Sequence, residues 1–123
     1  MGLQALNVDL FKKAGIAGKY SYATGATSWT TDNLEEFEYV SLVFEVSGVS
    51  GVDSTFTIEE SIDGEVYSAV EHSALTNGVV TIGTSAEIHV FDFSPWAKKY
   101  IKISFDPGTS SGAIDSLRFL AKQ

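Results

Sequence analysis

The sequence predicts an all-β protein, an antiparallel β-sandwich of jelly-roll type with an extended N-terminal arm. Three observations support this prediction: apolar and polar residues alternate over short segments, turn-forming residues separate those segments at near-regular intervals, and no segment has the spacing of a long helix. A chain of 123 residues is long enough for one domain with a real core. We therefore expect residues 1–18 to form an arm or edge segment and residues 19–123 to form the sandwich domain.

The clearest strand and turn signals lie in the middle of the chain. From Tyr39 to Ser47, every second residue is apolar, which predicts a central strand (Val40, Leu42, Phe44, Val46). After Thr55–Ser61, Asp63 and Gly64 predict a hairpin, because Asp63 can hydrogen-bond the turn backbone and Gly64 can take a positive φ without a Cβ clash. Asn77-Gly78 predicts a second hairpin with a two-residue type I′ turn.

Three further strands are predicted in the second half of the chain. Glu87 to Phe93 has apolar residues on both of its alternating faces, which predicts a strand that is covered on both sides. Tyr100 to Phe105 and Ile114 to Leu120 each have one apolar face (Ile101, Ile103 and Phe105 in the first, Leu117 and Phe119 in the second). Turn-rich segments around Pro95 and Pro107 separate these strands.

The N-terminal segment has apolar residues that fit two periodicities, helical for Leu3, Leu6 and Leu10 and extended for Val8 and Leu10. One interpretation is an arm whose apolar side chains contact neighbouring subunits through Leu3, Leu6, Val8, Leu10 and Phe11. In this case, deletion of the residues through Lys13 leaves a folded domain. The other interpretation is that the segment covers one end of the domain's own core, since chain termini are ordered only when they are tied down.

Composition excludes several classes of partner and site. The formal net charge of −8 disfavours nucleic-acid binding, and no apolar run is long enough to span a membrane. Because the chain has no cysteine, disulfides and the usual zinc sites are excluded. The first residues do not have the pattern of a signal peptide, so we expect none.

The sequence offers few groups for catalysis or for metal binding. Its two histidines, His72 and His89, lie in strand-like segments, and no Gly-x-Ser-x-Gly nucleophile elbow accompanies them. Several acids could bind calcium but lack the spacing of an ion-binding loop (Asp32, Glu35, Glu36, Glu38, Glu59, Glu60). We therefore expect a protein that is not an enzyme and that has no cofactor and no metal site.

Aromatic residues near the start of the chain raise the possibility of glycan binding. Trp29 lies in a polar segment, and together with Tyr20 and Tyr22 it could form a platform on which a sugar ring stacks. The same residues could instead pack in the core, which is the commoner role of aromatic side chains in small β-domains.

Three segments together resemble the pattern of small tailed-bacteriophage virion proteins: Tyr39–Val46, the Phe56–Tyr67 hairpin with its Ser61-Ile62-Asp63-Gly64 turn, and Tyr100–Phe105. The resemblance covers roughly Phe37 to Leu120, with Lys102 at a position where arginine is commoner. It implies a jelly-roll subunit that decorates a capsid as an auxiliary protein or forms part of a head fibre, assembled in the cytoplasm of the host bacterium and located in the virion.

The resemblance also implies the partners. They are the major capsid protein or neighbouring subunits, with the chain as a homo-oligomer or bound in a lattice, and it carries over no catalytic residue. The alternative function is a carbohydrate-binding β-sandwich module, or a tail-associated protein that helps the particle adsorb to the host surface.

Overall fold

A computed structural model of the chain describes residues 5–16, 20–21, 27–31, 33–34, 37, 39–49, 54–72, 75–82, 87–93, 99–108 and 112–122. Ten strands and one helical turn lie in these ranges: β1 Ala5–Asp9, α1 Leu10–Lys13, β2 Tyr20–Ser21, β3 Thr27–Thr30, β4 Tyr39–Val49, β5 Thr55–Ser61, β6 Ser68–Ala69, β7 Val79–Thr81, β8 Glu87–Phe93, β9 Tyr100–Asp106 and β10 Gly112–Lys122.

The strands form two antiparallel sheets that pack face to face. Sheet A has the order β1-β10-β4-β8, with β2 also paired to β10. Sheet B has the order β3-β9-β5-β6, with β7 also paired to β5. The predicted antiparallel, jelly-roll-like β-sandwich is thus confirmed.

The core lies between the sheets and is built by the alternation that the sequence shows. Strand β4 supplies Val40, Leu42, Phe44 and Val46 from sheet A, while β5 and β9 supply the facing side chains from sheet B (Phe56, Ile58, Ile101, Ile103, Phe105). The rings of Phe44 and Phe56 meet across the sandwich with centroids 4.1 Å apart. In β10, register shifts near Ile114 change the alternation, so that Ile114 and Leu117 both point into the core.

Both predicted turns are present. Gly64 has φ +80° between β5 and β6, and the side chain of Asp63 accepts hydrogen bonds from the backbone N–H groups of Glu65 and Val66. Asn77 and Gly78 both have positive φ (52° and 78°), as a type I′ turn requires. The strand after this second turn, β7, runs along β5, so the partner of Val79–Thr81 is Thr55–Thr57.

The N-terminal segment belongs to the sandwich. Strand β1 pairs with β10 from Ala5↔Lys122 to Asp9↔Arg118, as an edge strand of sheet A. Asp9 then caps α1, accepting hydrogen bonds from the N–H groups of Phe11 (3.0 Å) and Lys12 (3.2 Å). This one turn of helix directs Leu10 and Phe11 into the core. None of the helical segments that the structure describes is long and apolar enough to cross a membrane.

Candidate interaction surface

The outer face of sheet A carries a group of exposed apolar side chains. Strand pairing places them side by side: Val90 of β8 is opposite Val43 of β4, while Ile88 precedes Val90 by two residues on the same face. Ile88 is 67% exposed and Val90 53% exposed. Tyr39 and Leu120 are also exposed on this face. Together with Val43, which is half-buried on the same face, they form a set that we call the outer patch (Tyr39, Val43, Ile88, Val90, Leu120).

Charged and polar side chains surround the outer patch. Glu45 is opposite Ile88 in the register of β4 and β8, and Ser41 donates a short hydrogen bond to Asp92. On the other side, Arg118 lies 3.7 Å from a carboxylate oxygen of Asp9. Exposed apolar side chains within a polar rim are typical of surfaces that bind other proteins.

The exposure of the outer patch contradicts one prediction made from the sequence. The two apolar faces of Glu87–Phe93 predicted a strand covered on both sides, but the chain itself covers only the side with Phe91, which is buried. The prediction was wrong for an isolated chain, because Ile88 and Val90 face outward from the edge of sheet A. The apolar residues on both faces of Glu87–Phe93 are nevertheless the sequence signal for this surface.

The inner side of β8 holds one of the two histidines. The ring of His89 is stacked on Phe44, with centroids 5.0 Å apart, and its Nε2 lies 2.7 Å from a carboxylate oxygen of Glu87 without hydrogen-bond geometry. His72 contacts Phe91 edge to face, at 5.6 Å between ring centroids. Both imidazoles therefore pack against the aromatic edge of the core, which is a structural arrangement.

The structure corrects the predicted assembly interface for two of its five residues. Leu10 and Phe11 are each 1% exposed, and Phe11 packs on the ring of Trp29 at 5.2 Å between centroids. They are buried because the capped turn α1 directs them into the core. This agrees with the alternative interpretation, in which the segment covers one end of the domain's own core. Val8 also packs against the core. Leu3 lies outside the described residues, and for Leu6 only the backbone, in β1, is described.

The predicted glycan platform is also corrected. Trp29 is only 6% exposed, because it lies between Phe11 and Tyr20 on the inner face of β3. Tyr20 contacts Trp29 edge to face, with ring centroids 5.4 Å apart, so the two rings do not form a flat surface on which a sugar ring could stack. Tyr22 lies outside the described residues. Trp29 therefore belongs to the core, and Tyr20 packs against it.

The outer face of sheet B differs from that of sheet A because it is mainly polar. A shallow depression of about 440 Å³ lies over β3, β5 and β9, and hydroxyl side chains line most of it (Thr27, Ser28, Thr55, Thr57, Ser104). Beside it, the ammonium group of Lys102 lies 5.5 Å from the ring centroid of Tyr67. Burial, together with the neighbouring Tyr100, Asp63 and Glu59, raises the pKa of the Tyr67 hydroxyl.

Within the described ranges, no group of three or more histidine, aspartate or glutamate side chains is placed to hold a metal ion. Four of the candidate calcium ligands lie outside the described residues (Asp32, Glu35, Glu36, Glu38).

Comparison with known proteins supports the fold. No protein-family model matches the chain, and no curated protein matches its sequence. Among solved structures, the SPBc2 prophage-derived protein YomS is similar over 100% of this chain and 96% of its own, with a TM-score of 0.62 and 8% identity. The disulfide-linked pili of Bacillus endospore appendages are similar over 98% and 85% of the two chains, with a TM-score of 0.54 and 13% identity.

A third similar structure is that of infectious bursal disease virus, Gt strain. It covers 98% of this chain but only 32% of the viral chain, with a TM-score of 0.57 and 10% identity. At these identities the likeness establishes the β-sandwich fold. The resemblance to small phage virion proteins is therefore supported at the level of the fold.

Proposed function

We propose that this protein is a non-enzymatic structural subunit of a bacteriophage virion, an auxiliary or decoration protein of the capsid that acts through protein contacts. The observation that carries the proposal is the outer patch, an exposed apolar surface on the outer face of sheet A that is separate from the core between the sheets. Strand pairing makes the outer patch contiguous, and a contiguous exposed apolar surface marks a site that binds another protein.

Solved structures of similar fold support this proposal. Two of the three structures described above come from a prophage and a virus, and in all three the likeness extends over nearly the whole of this chain. A rigid sandwich with a stable core is suited to a role in which the protein is held by its neighbours, and the sequence resemblance points to the same class.

Incorporation into particles tests the proposal. Phage particles would be assembled with the double variant Val43→Lys/Leu120→Lys, which puts two charges in the outer patch, and the copy number per particle would be measured by quantitative mass spectrometry. We expect a large loss of this protein from the particles, because a buried ammonium group without a partner is strongly unfavourable.

The matched control is Val66→Lys. Val66 is 74% exposed on the Ser61–Ser68 hairpin, away from the outer patch, so this variant should be incorporated normally. Full incorporation of the double variant, with its fold confirmed by circular dichroism, would remove the outer patch from the mechanism. Absence of the wild-type protein from purified particles would contradict the proposed function itself.

Glycan binding, the alternative function, remains a prediction, but Trp29 of its predicted platform is not accessible. Because Trp29 is buried, a binding platform would have to use other residues, and the polar depression on sheet B lacks an exposed aromatic stack among its lining residues. The protein-contact function is therefore the one that the geometry supports best.

A further inference from the structure

The free edge of β8 is unlike the other sheet edges in the described part of the chain. Natural proteins protect sheet edges with short strands, charges, prolines or bulges, because an open edge can pair with another strand. In sheet B, one edge is β3, four residues long, and the other is divided between β6 and β7, with two and three residues. In sheet A, the edge opposite β8 is divided between β1 and β2.

Within its own seven residues, strand β8 is not short and has no bulge, lysine or proline, and its only charged groups that are ionised at neutral pH are two acids. It pairs with β4 without a register shift, from Val40↔Phe93 to Val46↔Glu87, so it is regular along its whole length. It contains no lysine and no proline, and its two acids, Glu87 and Asp92, lie towards its ends. Its outward side chains, Ile88 and Val90, are more exposed than any other part of the outer patch.

We propose that β8 pairs with β8 of a second copy of this chain, so that sheet A continues across a two-fold axis at Val90. This inference names a partner for the β8 edge beside the outer patch, and it rests on the proposed function as far as the role of protein contacts is concerned. An antiparallel pair of edge strands satisfies the backbone groups of both edges at once.

The sequence of β8 is self-complementary in this register. With Val90 opposite Val90 of the second copy, Ile88 is opposite Asp92, His89 opposite Phe91 and Glu87 opposite Phe93, so no acid faces another acid. The outer face then carries Ile88 and Val90 from both copies in one continuous apolar strip. The pairing also closes, because both copies use the same edge strand, and it therefore predicts a dimer and not a fibre.

The absence of cysteine in the chain permits a direct test of the register by single cysteine variants. In the proposed dimer, the two Val90 Cα atoms are directly opposite, at about 4.5–5.5 Å, within the range that a disulfide can bridge. The two Ile88 Cα atoms are four residues apart along the strands, at about 13 Å, too far for a disulfide. Val90→Cys should thus form a disulfide-linked dimer on mild oxidation, whereas Ile88→Cys, a control at a still more exposed position, should not.

The oligomeric state of the purified full chain completes the test. Sedimentation equilibrium should show a reversible monomer–dimer equilibrium for the wild type, and Val90→Lys should raise the dimer dissociation constant by about tenfold or more, because two ammonium groups would face each other. Leu120→Lys, which lies on the outer patch but away from β8, should leave it unchanged.

Three results would overturn the proposal. They are a wild type that stays monomeric at every concentration, equal cross-linking of Ile88→Cys and Val90→Cys, or assembly beyond the dimer. Because these measurements use the isolated protein, failure here leaves the particle experiment intact: a monomer that still enters particles through the outer patch would refute the dimer and not the structural role.

Discussion

Gly78 shows how a single residue allows two strands to approach closely. Its φ is +78°, and a Cβ atom at this position would lie 2.7 Å from the carbonyl oxygen of Ile58. That carbonyl belongs to β5, along which β7 packs after the turn. The turn was predictable from the Asn-Gly pair alone, but the close approach to β5 was not, because it depends on which strand β7 joins.

We expect Gly78→Ala to destabilise the protein by about 2 kcal/mol or more, since the substitution combines left-handed strain with a backbone clash. Gly15→Ala is the matched control: Gly15 has φ +81°, but a Cβ there would meet nothing within 4 Å. Its cost should be about 1 kcal/mol, from the backbone strain alone. Urea unfolding of both variants measures the difference, and equal losses would show that the contact with Ile58 contributes nothing.

Asp63 has a similarly local role in the first hairpin. Hydrogen bonds from the N–H groups of Val66 and Glu65, and from the Ser61 hydroxyl, lower the pKa of its carboxyl group to about 2. These donors favour the ionised carboxylate. This function of Asp63 was predictable from the sequence, because every partner lies within three residues along the chain.

The lowered pKa of Asp63 predicts a pH dependence of stability. The folded protein binds this proton more weakly than the unfolded chain, so the stabilisation is present above about pH 4 and is lost as the pH falls towards about 2. In Asp63→Asn, urea midpoints should fall less across this acidic range than in the wild type. Glu65→Gln, which removes the neighbouring carboxylate but leaves these hydrogen bonds, should follow the wild type. Identical profiles for all three proteins would contradict the assignment.

At the scale of elements, the N-terminal segment shows where the sequence was ambiguous. Its apolar residues fitted both a helix and a strand because the segment is both, a strand to Asp9 followed by one helical turn. The change from strand to helix depends on the cap at Asp9 and on a space in the core that the Phe11 side chain fills. The cap is visible in the sequence, but the space is a property of the assembled core.

The burial of Phe11 reverses the expected outcome of removing this segment. Deletion through Lys13 should now destabilise the domain, because it removes β1 and two core side chains. Phe11→Ala alone should cost about 3–5 kcal/mol, whereas Lys12→Ala, at the adjacent exposed position, should change stability by less than about 0.5 kcal/mol. Thermal and urea unfolding measure both, and a Phe11→Ala variant as stable as the wild type would restore the interpretation of a detachable arm.

Strands β4, β5 and β9 were predicted well because each has one buried apolar face and one more accessible face. Every second residue is buried over residues 40–46, 56–58 and 101–105. The periodicity therefore gives both the strand and its inner face. Strand β8 lacks that asymmetry, since its outer face bears Ile88 and Val90, and the sequence alone could not say whether this chain or another covers them.

At the scale of the whole molecule, the sequence predicted the sandwich but not the order of its strands. Strand β10, the last in the chain, lies between β1 and β4, while β9 lies between β3 and β5. Such pairings join segments far apart in sequence, and neither composition nor alternation specifies them. The position of β8 at an open edge follows from this order, so the candidate surface could be located only in the folded molecule.

The net charge of the chain adds a final prediction about the proposed dimer. Each copy carries a formal charge of −8, so two copies repel each other, while the residues paired in the β8 register form no ion pair between acids and bases. Added salt screens this repulsion and should tighten the dimer, whereas an interface held by ion pairs would weaken. Sedimentation equilibrium in low and high sodium chloride should show a lower dissociation constant at high salt.

Val90→Lys, with its impaired interface, separates this response from salt-induced aggregation, because it should remain mainly monomeric in both solutions. A wild-type dimer that dissociates on addition of salt would show that ionic contacts, and not the apolar strip of Ile88 and Val90, hold the two copies together.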